Sequence, residues 1–117
     1  MRRFEGLTVL ITGATGGFGR RAAERFAAGG ARLVLSDLDA ARLDETAAAL
    51  PTEAATLAGD VSDEALSQRL VALALDRFGR LDVALNNAGI VHDMVKLPAL
   101  SSEIARKVID IDLMGVF

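Results

Sequence analysis

Short apolar runs alternate with helix-like patterns along the chain, and this alternation restricts the possible folds more than any other feature. The runs that read as strands are 7–12, 32–36, 54–58 and 81–86. The helical patterns cover residues 17–28, 40–50, 62–78 and 101–117. Strands that alternate with helices predict an α/β fold with a parallel sheet and right-handed crossovers. The strands are almost continuously apolar, which is typical of a sheet covered by helices on both faces.

The composition fits one domain and excludes several kinds of chemistry. The chain has 117 residues, of which 51% are hydrophobic, and its net charge is −3, so we expect no nucleic-acid partner. It has no cysteine and only one histidine, so we expect neither disulfides nor a metal site. The apolar run 7–11 is too short for a signal peptide or a membrane span, so we expect a cytoplasmic protein that does not act on membranes.

A glycine-rich turn, residues 12–19, joins the first predicted strand to the first predicted helix. Gly13 permits a tight turn, Gly17 allows a ligand to approach the backbone, and Gly19 allows the helix to pack near the strand. The amides of Gly17 and Phe18 lie near the helix N-terminus, where the helix dipole favours a pyrophosphate. A purely structural turn is the alternative, but the strand–turn–helix context favours a nucleotide site. The residues expected to bind the nucleotide here are Gly13, Thr15, Gly16, Gly17, Phe18 and Gly19.

Asp37 follows the second predicted strand, about 20 residues after the glycine turn. A carboxylate at this place can accept hydrogen bonds from both hydroxyls of an adenosine ribose and repels a 2′-phosphate, so we expect NAD in preference to NADP. The neighbouring Ser36 and Leu38, and Gly16 in the turn, add no basic side chain. The alternative is that Asp37 only helps to cap the next helix, a role that Asp39 could fill.

Two further motifs follow the later strands. Asp60-Val61 comes after the third predicted strand, and the Asn-Asn-Ala-Gly motif of residues 86–89 comes after the fourth. With the glycine turn, these motifs have the order and spacing of the short-chain dehydrogenase/reductase family, and essentially the whole chain resembles the N-terminal part of that family. The resemblance implies a Rossmann-type, doubly wound fold of which the chain forms the first four strands, as βαβαβαβα. It also implies one NAD-binding domain over residues 1–117, truncated at its C-terminal end.

The resemblance implies a cofactor role for each of these motifs. Asp60 would accept a hydrogen bond from adenine with the Val61 backbone nearby, and Asn87, Ala88 and Gly89 would lie against the cofactor near its second ribose. Purely structural roles are the alternative, because Asp60 could cap the turn before Ser62 and the asparagines could satisfy a strand end. All these positions follow strands, at the sheet edge where open α/β folds bind ligands.

The last predicted helix is apolar nearly all round, which predicts that it is buried. The other predicted elements do not offer enough surface to cover every side of it. We therefore expect either a fragment of a longer protein or an obligate partner. In the family this helix commonly forms a subunit interface, and the resemblance therefore implies a homo-oligomer.

Asp112 occupies the position at which the family has an asparagine before Leu-x-Gly. It shares a helical stripe with Ala105, Ile109 and Val116, which predicts a buried carboxyl. Three interpretations stay open: Asp112 replaces the asparagine in a proton relay, it marks an impaired relay, or it is a structural acid with satisfied hydrogen bonds.

In the family, hydride passes between nicotinamide and an alcohol or carbonyl carbon, and a tyrosine with a lysine four residues later handles the proton. The chain contains no tyrosine. We therefore expect the N-terminal portion of an NAD-dependent oxidoreductase for small alcohol or carbonyl substrates, which binds cofactor but is inactive alone. The alternative is a stand-alone nucleotide-binding or interaction module without redox chemistry. Residues 90–100 are expected to form a loop in which His92 either borders a substrate or is solvated.

Overall fold

The computed structural model describes residues 3–89 and 101–116, and over these ranges the chain forms a parallel sheet with flanking helices. The strands are β1 Thr8–Thr12, β2 Arg32–Ser36, β3 Ala54–Thr56 and β4 Val83–Leu85. The helices are α1 Gly17–Ala28, α2 Ala40–Ala48, α3 Glu64–Phe78 and α4 Ser102–Val108, which runs on into a π-helical segment, Ile109–Met114. The predicted α/β class and the Rossmann-type arrangement are confirmed.

The sheet has the order β3-β2-β1-β4, and all of its pairings are parallel. Leu10 in the middle of β1 lies opposite Val34 on one side and Ala84 on the other. The chain moves outward from β1 through β2 to β3 and then returns to the far side of β1. The direction therefore reverses between β1 and β4, and doubly wound sheets bind ligands at the carboxyl end of such a reversal.

Both faces of β1 and β2 are buried, which explains why these two strands are almost continuously apolar, whereas β4 is exposed within the described residues. Val9 and Leu33 point to the face covered by α1 and α2, where they pack with Leu43. Leu10 and Val34 point to the opposite face and pack against α3. The core is thus split into two layers that hold the central strands rigidly beneath the carboxyl edge.

Local signals explain where most helices begin and end. Asp63 caps α3 through a 3.0 Å hydrogen bond from the Ala65 amide, and Gly79 ends it with φ of 76°. Helix α2 ends at Ala48 and not at residue 50, because Pro51 disfavours a helical conformation in the residue before it. Strands β3 and β4 are shorter than the predicted 54–58 and 81–86.

The last segment differs from the prediction in two ways. A continuous α-helix was expected, whereas α4 gives way to the π-helical segment at Ile109. The expectation that Asp112 is buried is wrong: its side chain is exposed, and Ile111 is the buried residue of this segment. Leu113 is 62% exposed. The other described elements therefore leave much of the apolar surface of this segment uncovered, in agreement with the prediction that they are too few to cover every side of it.

Candidate cofactor site

A cavity of about 410 Å³ opens at the carboxyl edge of the sheet, beside the reversal between β1 and β4. Its size is within the usual range for small-molecule sites. It gathers all the residues predicted to bind cofactor except Gly19. The lining consists of Gly13, Thr15, Gly16, Gly17, Phe18, Asp37, Leu38, Arg42, Gly59, Asp60, Val61, Asn87, Ala88, Gly89 and Ile111.

The glycine turn is packed too closely for side chains at two of its positions. Gly13 has φ of 65°, and a Cβ there would lie 3.0 Å from the Cα of Ala88. A Cβ on Gly19 would collide with the carbonyl oxygen of Gly13, so Gly19 serves the packing of α1 against β1 and not the cavity lining. A Cβ on Gly17 would meet no atom within 4 Å, so the backbone there is open to a ligand. Gly19 thus allows α1 to pack near β1, whereas the backbone at Gly17 is accessible.

The start of α1 supplies polar groups to the part of the cavity wall that the glycine turn forms. Gly16 is the N-cap residue, and the first amides of an α-helix have no partner within the helix. Together with the helix dipole, these amides favour an anion. The ring of Phe18 is 87% exposed and borders the cavity.

Hydrogen bonds tie the end of β4 to the glycine turn. The Thr12 hydroxyl accepts from the backbone amides of Asn87 and Ala88, both at 3.1 Å. The side-chain amide of Asn87 donates to the Gly13 carbonyl at 3.3 Å. Asn87 therefore has the structural role that was left open for it, and it also lines the cavity. Sequence reasoning missed Thr12, whose position as the last residue of β1 was the available signal.

Asp37 is anchored to the glycine turn. Its Oδ2 accepts hydrogen bonds from the Thr15 hydroxyl at 2.6 Å and the Thr15 amide at 3.0 Å, and its Oδ1 accepts from the Leu38 amide at 2.7 Å. Burial raises the pKa of the Asp37 carboxyl, but these hydrogen bonds outweigh burial and hold the pKa below its ordinary value. The carboxylate is therefore ionised and fixed in orientation at neutral pH.

The helix cap is Asp39 and not Asp37. The Asp39 carboxylate accepts from the amides of Ala41 and Arg42 at 3.0 and 3.2 Å, at the start of α2. This contradicts the alternative that Asp37 is only a helix cap. The Asp37 carboxylate is not part of that cap, and Asp37 lines the cavity.

Arg42 is the residue of the cavity that sequence reasoning missed most clearly. The neighbours of Asp37 in sequence are not basic, yet Arg42 reaches back from the first turn of α2 and its Nη2 lies 3.4 Å from the Thr15 carbonyl oxygen. Leu38, Gly59 and Ile111 also line the cavity without having been predicted. The available signal for Arg42 was its place in the helix that follows Asp37.

Asp60 and Val61 form another part of the cavity wall. The Ser62 amide and hydroxyl donate to Asp60 Oδ1 at 2.9 and 2.8 Å, and these bonds hold the pKa of the Asp60 carboxyl below its ordinary value. Asp60 thus has the turn role that was the structural alternative, and it also borders the cavity. Val61 packs against Gly115, where an added Cβ would lie 2.7 Å from Val61 Cγ2. This contact brings the π-helical segment to the cavity.

Asp112 lies at the rim of the site. A Cβ added to Gly89 would lie 3.3 Å from Asp112 Oδ1, so the carboxylate adjoins the end of the Asn-Asn-Ala-Gly motif. His92 and the predicted loop 90–100 lie outside the described residues. Within residues 3–89 and 101–116, no group of three or more acidic, histidine or cysteine side chains is arranged to hold a metal. The same ranges contain no helix with the length and apolar character needed to cross a membrane.

Comparisons with known proteins agree with this geometry. Residues 7–117 match the family model for short chain dehydrogenase. Levodione reductase of Leifsonia aquatica is 40% identical over 120 residues, covering 98% of this chain and 45% of that protein. A short-chain dehydrogenase/reductase of the glucose/ribitol dehydrogenase type from Brucella melitensis has a TM-score of 0.94 at 42% identity, covering 98% of this chain and 47% of that one. The 3-ketoacyl-(acyl-carrier-protein) reductase of Brucella melitensis, solved in complex with NADH, has a TM-score of 0.92 at 38% identity, covering 97% and 46%.

The chain belongs to the short-chain dehydrogenase/reductase family, as its motifs predicted. Members of this family are oxidoreductases that use NAD or NADP and act on small alcohol or carbonyl compounds. The chain spans about half the length of the relatives that it matches.

Proposed function

We propose that residues 1–117 are the cofactor-binding portion of an NAD-dependent oxidoreductase, truncated at the C-terminal end of a single Rossmann domain. The whole protein would transfer hydride between nicotinamide and an alcohol or carbonyl carbon. The observation that carries this proposal is the cavity at the β1–β4 reversal, which brings the glycine turn, Asp37, Asp60 and the Asn-Asn-Ala-Gly motif together.

The residues around the cavity fit the parts of a dinucleotide. The open backbone at Gly17 and the first amides of α1 suit a pyrophosphate, and the ionised Asp37 suits the two hydroxyls of an adenosine ribose. The wall formed by Asp60 and Val61 would hold adenine, while Ala88 and Gly89 would lie nearer the nicotinamide end. When bound, the nicotinamide ring supplies the carbon that gives or accepts hydride.

Asp37 carries the proposed preference for NAD. A 2′-phosphate beside this carboxylate would place like charges within a few ångströms, which opposes binding. Because Thr15 and Leu38 fix both carboxylate oxygens, Asp37 cannot turn away from the ribose without losing hydrogen bonds. NADP therefore binds more weakly than NAD.

The proton-transfer groups are proposed to lie outside these 117 residues, since the chain has no tyrosine. Among the described residues, Asp112 adjoins Gly89 at the rim of the cavity. We assign it to the place where the family has an asparagine that supports a relaying water. This assignment makes Asp112 the catalytic residue that we propose for the chain.

The uncovered apolar side chains of the last segment support a homo-oligomer. Ile109, Leu113 and Met114 are each more than half exposed, and a second subunit that covered them would remove a large apolar area from water. We also propose a cytoplasmic location, which is in keeping with a chain that has no cysteine.

The test is an activity assay on the complete gene product that contains these residues. NADH formation is followed by absorbance with NAD and a panel of secondary alcohols and polyols, and NADH consumption with cyclic diketones. We expect NAD-linked turnover with at least one substrate and none from the isolated 117-residue chain. Turnover by the isolated chain would contradict the proposal that it is inactive alone. Cofactor binding without turnover by a gene product that ends at Phe117 would favour the stand-alone module instead.

A further inference from the structure

A second cavity, of about 490 Å³, lies at the amino edge of the sheet, between the turn that precedes β1 and the last turn of α1. The glycine turn lies at the other end of α1, and a helix of 12 residues separates its two ends by about 18 Å. The two cavities share no lining residue. The lining of the amino-edge cavity consists of Arg3, Phe4, Arg25, Phe26, Ala28 and Gly29.

Two aromatic rings supply the apolar part of this lining. The ring centroids of Phe4 and Phe26 lie 4.8 Å apart, and the ring planes are inclined by 53°. Gly29 seats the first ring, because its carbonyl accepts a 2.8 Å hydrogen bond from the Phe4 amide and a Cβ at Gly29 would collide with the Phe4 ring. Both rings are only partly buried, so they offer apolar surface to a ligand.

Two arginines supply the charged part of the lining. The side chains of Arg3 and Arg25 are exposed, and the described lining contains no acidic side chain. The acid next to Arg25 in sequence, Glu24, is paired with Arg20 and Arg21 on another side of α1. Among the described residues, neither arginine of the cavity forms an ion pair with a carboxylate. Both positive charges are therefore available to an anion.

The C-terminal end of α1 opposes an anion but does not decide the balance. A helix C-terminus carries about half a negative charge, whereas the two arginines carry a full positive charge each. The helix carbonyls are also already engaged, since the amides of Gly30 and Ala31 donate to the carbonyls of Ala27 and Phe26 at 2.9 and 3.0 Å. The net field of the cavity therefore favours a negative group.

We propose that the amino-edge cavity is a second ligand site, which takes a small monocarboxylate with an aromatic or short aliphatic body. A guanidinium presents a planar fork of N–H donors that fits the two oxygens of a carboxylate. The apolar body of the ligand packs against Phe4 and Phe26, where it is removed from water. Since the two cavities share no residue, binding here does not require cofactor binding at the carboxyl edge.

The probe is 3-phenylpropanoate, titrated calorimetrically into the complete gene product with any N-terminal tag removed, with and without saturating NADH. Two matched probes divide the ligand: 3-phenylpropanamide lacks the charge, and propanoate lacks the ring. The variants are Arg3→Gln, Arg25→Gln and Arg25→Lys, each checked for a wild-type circular dichroism spectrum. Arg69→Gln is the matched control, because Arg69 is an exposed arginine of α3 outside the lining.

We expect the wild type to bind 3-phenylpropanoate with a Kd of about 1 mM or tighter, as suits a ligand of this size. Arg3→Gln and Arg25→Gln should each weaken binding about fivefold, the loss expected of a charge-assisted contact at an exposed site. Arg25→Lys should lose less, because it keeps the charge without the fork, and Arg69→Gln should lose nothing. The amide and propanoate should each bind at least about tenfold more weakly than the probe.

Equal affinities in the wild type, Arg3→Gln and Arg25→Gln would overturn the proposal, and so would an equal loss in Arg69→Gln. A wild type that does not bind 3-phenylpropanoate at concentrations up to about 10 mM would overturn it as well. Displacement of the probe by NADH would place the probe in the carboxyl-edge cavity and also contradict it. A wild type that binds the probe but not NADH would support this site and refute the proposed function.

Discussion

Thr15 joins the glycine turn to Asp37, and replacing it by valine removes that link with little change of shape. Thr15 is buried, and its hydroxyl donates to Asp37 Oδ2 at 2.6 Å. A hydrogen bond to a charged group contributes about 1.5–3 kcal/mol, and water at the half-exposed carboxylate recovers part of it, so we expect Thr15→Val to cost about 1 kcal/mol of unfolding free energy. That corresponds to a melting temperature lower by about 4 °C. NADH affinity should also fall, because Asp37 loses the hydrogen bond that fixes its carboxylate at the cavity.

The loss of unfolding free energy in Thr15→Val should depend on pH in a defined direction. Burial raises the pKa of Asp37, but hydrogen bonds from Thr15 and Leu38 bring it below its ordinary value. A carboxyl with a lowered folded-state pKa adds stability above its unfolded pKa of about 3.9, and that stability is lost as pH falls through the folded-state pKa. The stability gap between wild type and Thr15→Val is therefore full near about pH 6 and shrinks below about pH 4.

The assay is urea unfolding followed by circular dichroism at a series of pH values from about 3 to 7. Thr15→Ser is the matched control, because serine keeps the hydroxyl and should retain most of the wild-type stability and NADH affinity. The reasoning is refuted if the gap is the same at both ends of the pH range, or if serine is as costly as valine.

Three other substitutions separate the roles of residues around the cavity. Gly19→Ala places a Cβ against the Gly13 carbonyl and should cost about 2 kcal/mol or more of unfolding free energy in a denaturant titration. Gly17→Ala should keep wild-type stability and weaken NADH binding. Equal stability losses in the two variants would contradict this. Asp39→Ala removes the cap of α2 and should cost about 1 kcal/mol of unfolding free energy, and unchanged stability would argue against assigning the cap to Asp39. Asp112→Asn in the complete gene product should alter kcat while NADH affinity stays constant. Unchanged turnover would leave Asp112 a structural acid.

Much of the fold follows from local sequence signals. The bounds of α1 and β2 agree with the prediction, since the glycines at each end of α1 and the short apolar run of β2 act within a few residues. The site residues at strand ends were also accessible, because a parallel sheet places every carboxyl end at one edge. Gly13, Asp37 and Asn87 thus meet in one cavity although they lie far apart in sequence.

The site residues that were not predicted, Arg42 and Thr12, depend on the direction of a helix and on the order of strands in the sheet. Arg42 reaches the cavity because α2 leaves the sheet at an angle set by the Asp39 cap, and neighbouring sequence positions do not reveal this. Thr12 bonds to the end of β4 because β1 and β4 are neighbours, which the order of strands in the chain does not specify. The sequence signals for both residues, the last position of β1 and the start of the helix after Asp37, point to the site only once the topology is known.

The last segment shows where a pattern alone misleads. An apolar helix predicts burial, but burial also requires a surface to cover it, and the described elements cover Ile111 while leaving Leu113 exposed. Asp112 was placed on a buried stripe by helical periodicity, and the change from α-helix to π-helix at Ile109 alters that periodicity. The carboxylate therefore lies exposed at the rim of the cavity, beside Gly89.

The central claim is that the cavity at the carboxyl edge binds NAD through Asp37. Calorimetric titration of the complete gene product with NADH and NADPH, under the same buffer and salt conditions, tests it most directly. The account predicts saturable binding of one NADH per chain, at least about tenfold tighter than NADPH, and loss of this preference in Asp37→Asn. Tighter binding of NADPH than of NADH by the wild type, or no binding of either, would contradict it.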